Sequence, residues 1–194
     1  ADMRAQTLSP VAGWGWILTG FAIFRRNPIT LGMLVLTYWF TVVFLNVLPY
    51  VGALLASLVI PGLSVGLMQA ARQVERGLPI GVQTLFGSMK ENGRTLIALG
   101  ALYLACTLGI LGLSTLLDGG DMFRFMMSSN RAERAALEEA DFITPALFVM
   151  ALMTPVMMAY WFAPVLAAWH RLSLGKSLFF SFVACWMNWR PFMV

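Results

Sequence analysis

The side chains that could do chemistry are few and scattered along the 194 residues. His170 is the sole histidine, and a lone imidazole cannot build a metal site or a bis-histidine haem site. The two cysteines, Cys106 and Cys185, lack the paired spacing of a zinc or redox motif. We therefore predict packing or interfacial roles for all three side chains.

Two further groups could bind a cation. One stretch carries four methionines whose sulfur could bind Cu(I): Met150, Met153, Met157 and Met158. Methionine is also a pliable packing residue, and packing is the favoured interpretation. Asp118-Gly119-Gly120-Asp121 is interpreted as a solvated turn. No nucleophile and base pair, metal cluster or phosphate loop is recognisable, so we predict no catalytic, cofactor-binding or metal residues, no cofactor and no enzyme activity.

The elements that hold these residues are strongly apolar. Apolar residues make up 59% of the chain, charged residues 11%, and the mean hydropathy is +0.77, whereas a soluble domain is roughly a quarter charged. Four runs lack any ionisable side chain: 28–48, 50–71, 95–117 and 142–169. Each reaches the ~20 residues that a helix needs to cross the bilayer, and helical hydrogen bonding satisfies the backbone in lipid. We predict an all-α integral membrane protein with four transmembrane helices.

The distribution of Lys and Arg predicts the orientation, because basic loops stay in the cytoplasm. Most of the 13 Lys and Arg fall on the side of the N-terminus: Arg4, Arg25, Arg26, Arg72, Arg76, Lys90, Arg94, Arg171, Lys176 and Arg190. The segment 118–141 is rich in acids instead. We therefore expect a multi-pass protein of the bacterial inner membrane with a cytoplasmic N-terminus. The net charge of +4 suits membrane lipids as partners, and without a basic and aromatic platform it does not indicate nucleic acid.

An internal repeat emerges when Asn27, Asn92 and Asn188 are aligned. Apolar side chains recur ten, six and three residues before each Asn, which places them on one helical face: Ile17, Phe21 and Phe24; Val82, Phe86 and Met89; Leu178, Phe182 and Cys185. These segments are too short to span, and the basic residues beside them are typical of interfacial amphipathic helices.

The repeat divides a single membrane domain, 1–194, into units of one interfacial helix and one transmembrane hairpin. Unit one covers 10–76, unit two covers 77–172, and an incomplete unit three covers 173–194. A short external helix is expected over Arg131–Ala140, after a capping pattern at Asn130 and Glu133. Since unit three lacks its spanning pair, we expect the native polypeptide to continue past Val194, which an intact mass would test.

Small residues at four-residue spacing predict the faces on which helices pack, because helices in lipid associate where backbones approach closely. Gly62 and Gly66 form one such face, and Ala101, Ala105 and Gly109 form another. The partner is a helix of this chain, which we favour, or another subunit. On this basis Ala105→Leu and Gly62→Leu should disrupt helix association more than Leu34→Ala does.

Three stretches carry a resemblance to a known family: GFAIFRRNP, LPYVGALLASLVIPGLSVGLMQAAR and GKSLFFSFVACWMNWRP. They resemble a family of small, uncharacterised inner-membrane proteins common in beta-proteobacteria. More distantly, the repeat looks like the membrane-anchor domain of some glycerophosphodiester phosphodiesterases. The resemblance implies three hairpin units and about six spanning helices, and it implies no substrate.

Two functions remain after these exclusions. The favoured one is a non-enzymatic scaffold or accessory subunit of a larger membrane complex, with other integral membrane subunits as partners. The alternative is a transporter or channel component for a lipid or small apolar solute. Pro61, Pro155 and Pro164 interrupt the inward helices, as in transporters with broken helices, but the runs offer no acid or base to couple ions.

Overall fold

The computed structural model describes residues 6–48, 51–128 and 143–193, and this part of the chain is helical without a strand. The helices follow in order: α1 (Ala12–Arg26), α2 (Pro28–Val47), α3 (Gly52–Glu75), α4 (Val82–Asp118), α5 (Asp121–Met127), α6 (Ile143–Trp161), α7 (Ala163–His170), α8 (Leu174–Met187) and α9 (Trp189–Phe192). Pro49, Tyr50 and the predicted helix Arg131–Ala140 lie outside the described residues.

Within the described ranges, four helical stretches are long and apolar enough to cross a membrane: Pro28–Val47, Gly52–Glu75, Val82–Asp118 and Ile143–His170. They coincide with the four runs in the sequence, and the prediction of an all-α membrane protein is confirmed. Their surfaces remain apolar, as lipid requires: in α2, for example, Phe40 and Val47 are exposed.

The three aligned asparagines each sit where helical backbone geometry stops. Asn27 separates α1 from α2 and accepts a hydrogen bond from Thr30 N on its side-chain oxygen, 3.4 Å away. Asn92 is a non-helical residue inside α4. Asn188 separates α8 from α9 and ties the N-terminal segment to this junction, since its side chain accepts from Leu8 N at 2.7 Å and donates to Gln6 O at 2.9 Å.

Two boundaries differ from the sequence expectation. The second interfacial helix and the following span form one helix, α4, kinked at Asn92. The fourth run is divided at Phe162, just before Pro164, because proline cannot donate a backbone hydrogen bond. Ser181 of α8 satisfies two backbone groups beside this break. Its hydroxyl accepts a hydrogen bond from Phe162 N at 2.9 Å and donates one to Met158 O at 2.8 Å.

The chain divides into two compact units. The first comprises 1–101 and 158–194, and the second comprises 102–157. These two units are defined by contacts between residues. The repeat units 10–76, 77–172 and 173–194 are defined by sequence pattern and stay a prediction. The first unit contains two hydrophobic clusters, one around Leu34 and Leu63 and the other around Leu96 and Leu99.

Candidate functional site

Gly62 and Gly66 form a close contact between α3 and the first turns of α4. A Cβ built on Gly66 would lie 2.6 Å from the carbonyl carbon of Leu85 and 2.8 Å from its Cα. A Cβ on Gly62 would lie 2.7 Å from Cγ of Met89. The Ser88 hydroxyl donates to Gly62 O at 2.8 Å. The two helices therefore touch here because neither glycine has a side chain.

Gly100 makes a second close contact of α4 with α3 and was missed in the sequence. It is buried, and a Cβ at this position would lie 2.8 Å from Cα of Leu58. A sequence signal for this contact is the position of Gly100, four residues after Leu96 and one residue after Leu99. Both leucines are fully buried. These three residues share one helical face.

Ala101, Ala105 and Gly109 lie on an exposed face of α4. No atom of the described residues lies within 4 Å of a Cβ built on Gly109, and the same holds for Gly112, which falls on this face and is also exposed. We call these four residues the small-residue face. Internal packing is thus observed for Gly62 and Gly66, and the preference for internal packing does not extend to the small-residue face.

Several hydroxyl side chains of the spanning helices donate hydrogen bonds to carbonyls of their own helices. Thr37 donates to Met33 O, Thr107 to Tyr103 O and Thr154 to Met150 O, all at 2.8–2.9 Å. The buried Ser114 hydroxyl donates to Leu111 O at 2.8 Å. Such bonds to the preceding turn satisfy a hydroxyl within lipid.

The histidine and the two cysteines that were considered for chemistry do not form a common site among the described residues. Cys185 is buried in α8, and burial raises the pKa of its thiol, which disfavours the nucleophilic thiolate. Cys106 is half-buried and His170 is exposed. Among the described residues no group of three His, Cys, Asp or Glu side chains could hold a metal ion.

The turn at Asp118 begins α5. Its carboxylate accepts from Gly120 N at 2.9 Å and from Met122 N at 2.7 Å, so both oxygens serve the backbone of the next helix. Gly119 and Gly120 adopt φ values of 66° and 98°, which glycine tolerates without a Cβ penalty. Asp118 therefore has a local structural role, and Asp121 forms an ion pair with Arg124 at 3.7 Å.

A polar cavity of about 170 Å³ lies between α3, the first turns of α4 and α7. Its polar lining includes Gln69, Gln73, Thr84, Ser88, Glu91 and Asn92. The Thr84 hydroxyl donates to Gln73 Oε1 at 3.3 Å, and the Asn92 amide donates to Ala168 O at 3.1 Å. Sequence reasoning missed this cluster, although glutamines at positions 69 and 73 share one face of α3.

Trp169 lines both this cavity and a larger groove of about 460 Å³. The guanidinium of Arg72 lies 4.7 Å from the centre of the Trp169 ring, within cation–π range. The indole N–H of Trp169 is buried and has no hydrogen-bond partner among the described residues. An unsatisfied buried donor costs about 1–3 kcal/mol.

Comparison with known proteins identifies the family. The chain is 36% identical over 198 aligned residues to a probable inner membrane protein of Burkholderia thailandensis, and the match covers 99% of this chain and 73% of the relative. This chain belongs to the family of that inner membrane protein. No family model matches the chain, and no solved structure matches it.

The family assignment agrees with the predicted localisation in the bacterial inner membrane. The resemblance to small bacterial inner-membrane proteins and the localisation in the inner membrane are confirmed at this level. The likeness to the anchor domain of glycerophosphodiester phosphodiesterases and the orientation of the N-terminus stay predictions.

Proposed function

We propose that this chain is a non-enzymatic scaffold or accessory subunit of a larger complex in the bacterial inner membrane. The observation that carries the proposal is the exposure of the small-residue face: Ala101, Ala105, Gly109 and Gly112. Helices in lipid associate by close backbone approach at such residues. The same chain uses this geometry internally at Gly62 and Gly66, and an open face of the same kind suits a helix of another subunit.

The internal use of polar side chains supports the non-enzymatic part of the proposal. Several hydroxyls of the spans, such as those of Thr37, Thr107 and Ser114, donate to carbonyls of their own helices, and Asp118 caps the next helix. The distant likeness to a membrane-anchor domain accords with this role, because an anchor carries other parts of an assembly.

Purification from native membranes in a mild detergent tests the proposal. We expect an integral membrane protein to copurify in fixed stoichiometry and to dissociate when the small-residue face is filled by Ala105→Leu. A monomer with no bound protein in several mild detergents and in native nanodiscs would refute the scaffold role.

Transport of a lipid or small apolar solute is the second candidate, and the break between α6 and α7 favours it. Discontinuous helices line substrate sites in many transporters. It ranks second because Ser181 satisfies both Phe162 N and Met158 O, so the broken backbone offers these groups to no substrate. Lipid or solute flux in proteoliposomes of the purified chain would favour transport.

We also propose that the N-terminus is cytoplasmic, on the strength of the Lys and Arg distribution. Single cysteines replacing Arg25, Lys90 or Lys176 should resist an impermeant thiol reagent in intact spheroplasts, and one replacing Arg131 should react. Labelling of the cysteine at position 90 from outside would reverse this topology. A background without Cys106 and Cys185 provides the control.

A further inference from the structure

We infer that the groove between α1, α3 and α7 binds the headgroup of an aminophospholipid, with the phosphodiester on Arg72 and the amine on Glu75. This headgroup groove has a volume of about 460 Å³. Its lining includes Ile23, Met68, Arg72, Glu75, Trp169 and His170. The inference does not depend on the scaffold role, because either a scaffold or a transporter can hold a bound lipid.

Arg72 is positioned but unpaired. Its guanidinium stacks on Trp169 at 4.7 Å, and within the described ranges it makes no hydrogen bond or ion pair. Stacking occupies the face of the guanidinium and leaves the N–H donors at its edge for a ligand. Such a planar fork matches two oxygens of a phosphate, and the exposed His170 imidazole lines the same groove.

A purely anionic ligand does not match the rest of the groove. Glu75 contributes an exposed carboxylate that forms no ion pair within the described residues, although Arg72 lies one turn earlier on α3. The last carbonyl of α3, Glu75 O, already accepts from Arg26 Nη1 at 3.0 Å. Helix α7 also ends here, at His170, and helix C-termini carry partial negative charge. A ligand with a phosphate and a neighbouring ammonium matches both the positive charge of Arg72 and the negative charge of Glu75.

The apolar side of the groove favours a lipid over free phosphate. Ile23 of α1 and Met68 of α3 line it, and Met68 is 43% exposed. Trp169 belongs to a residue type that settles at headgroup depth. A lipid whose phosphate and amine lie between Arg72 and Glu75 can place its glycerol and upper acyl carbons against Ile23 and Met68.

Native mass spectrometry of the delipidated full chain, titrated with single lipids in detergent, tests the site. We expect phosphatidylethanolamine to bind about tenfold more tightly than phosphatidylglycerol, which has no amine, and than phosphatidylcholine, whose quaternary amine cannot donate. Arg72→Gln should weaken phosphatidylethanolamine binding about tenfold, the value of one lost charge-assisted contact. Glu75→Gln should remove the preference for phosphatidylethanolamine over phosphatidylglycerol.

The controls are matched in charge. Arg76→Gln removes the neighbouring cation, which does not line this groove, and Glu91→Gln removes a carboxylate outside it; both should bind as the wild type does. Arg72→Lys keeps the charge and loses the fork, so it replaces Arg72→Gln if that variant unfolds, and it should still weaken binding. Equal binding of all three lipids, or unchanged binding by the Arg72 variants, would overturn the assignment. Displacement of phosphatidylethanolamine by equimolar inorganic phosphate would show a phosphate site in place of a lipid site.

Discussion

The contact at Gly62 and Gly66 and the small-residue face of α4 carry the same sequence pattern, yet one is closed and the other open. At Gly66 the carbonyl carbon of Leu85 would lie 2.6 Å from an added Cβ, whereas at Gly109 no atom in the described part of the chain lies within 4 Å of one. Four-residue spacing thus identifies a helix that permits close approach. It does not identify the helix that approaches.

The difference changes the expected ranking of substitutions. The four-residue spacing of small residues predicts that Ala105→Leu and Gly62→Leu disrupt helix association more than Leu34→Ala does. Leu34, however, is only 1% exposed and belongs to a hydrophobic cluster, whereas Ala105 is exposed. For the isolated chain we therefore expect Leu34→Ala to cost more stability than Ala105→Leu, and we expect Ala105→Leu to act only where a partner covers position 105.

The largest effect is expected for Gly66→Leu. The obstacle is the Leu85 backbone, which cannot rotate away, so the loss of unfolding free energy should exceed about 5 kcal/mol. Gly109→Leu is the matched control and should change the stability of the isolated chain by less than about 0.5 kcal/mol. Thermal unfolding in detergent measures both, and similar losses would erase the distinction between closed and open faces.

Leu34→Ala should have the next largest effect. Removing a buried leucine side chain leaves a cavity and costs about 2–5 kcal/mol. Leu36, two residues further along α2, is 58% exposed, so Leu36→Ala should cost far less in the same unfolding assay. An equal loss at both positions would contradict the burial of Leu34 in this cluster.

Gly62→Ala should have a smaller effect, because the neighbouring group is the flexible Met89 side chain. Overpacking of this kind costs about 1–3 kcal/mol. Combining Gly62→Ala with Met89→Ala should recover part of the loss, since the second change removes the colliding atoms. By contrast, Leu85→Ala should not rescue Gly66→Ala, where the backbone is the obstacle. Rescue at position 66 would argue against a backbone contact.

Much of the fold was accessible from sequence because lipid imposes simple rules. Runs without charge had to form helices, and all four correspond to helical spans. The three asparagines marked real junctions, but their separate partners were not predictable: Asn92 binds Ala168 O and Asn188 binds Gln6 O. Those contacts join residues 76 and 182 positions apart, and only tertiary packing brings them together.

The candidate sites were less accessible for the same reason. Gly62 and Gly66 were identified by spacing, whereas Gly100 was missed because its contact depends on where Leu58 lies. The pairing of Arg72 with Trp169 joins two helices far apart in the chain. The composition of membrane proteins favours basic residues and tryptophan at the membrane surface, but it does not predict which cation contacts which indole.

Copurification of variants in the small-residue face tests the central claim most directly. The full chain carrying Ala105→Leu should lose its membrane partner while the thermal stability of the chain itself is unchanged, because Leu would separate backbones that must approach closely. Ala151→Leu, an equal change at an exposed position of α6, should keep the partner. Retention of the same partner at the same stoichiometry by Ala105→Leu would contradict the account and leave this face to lipid.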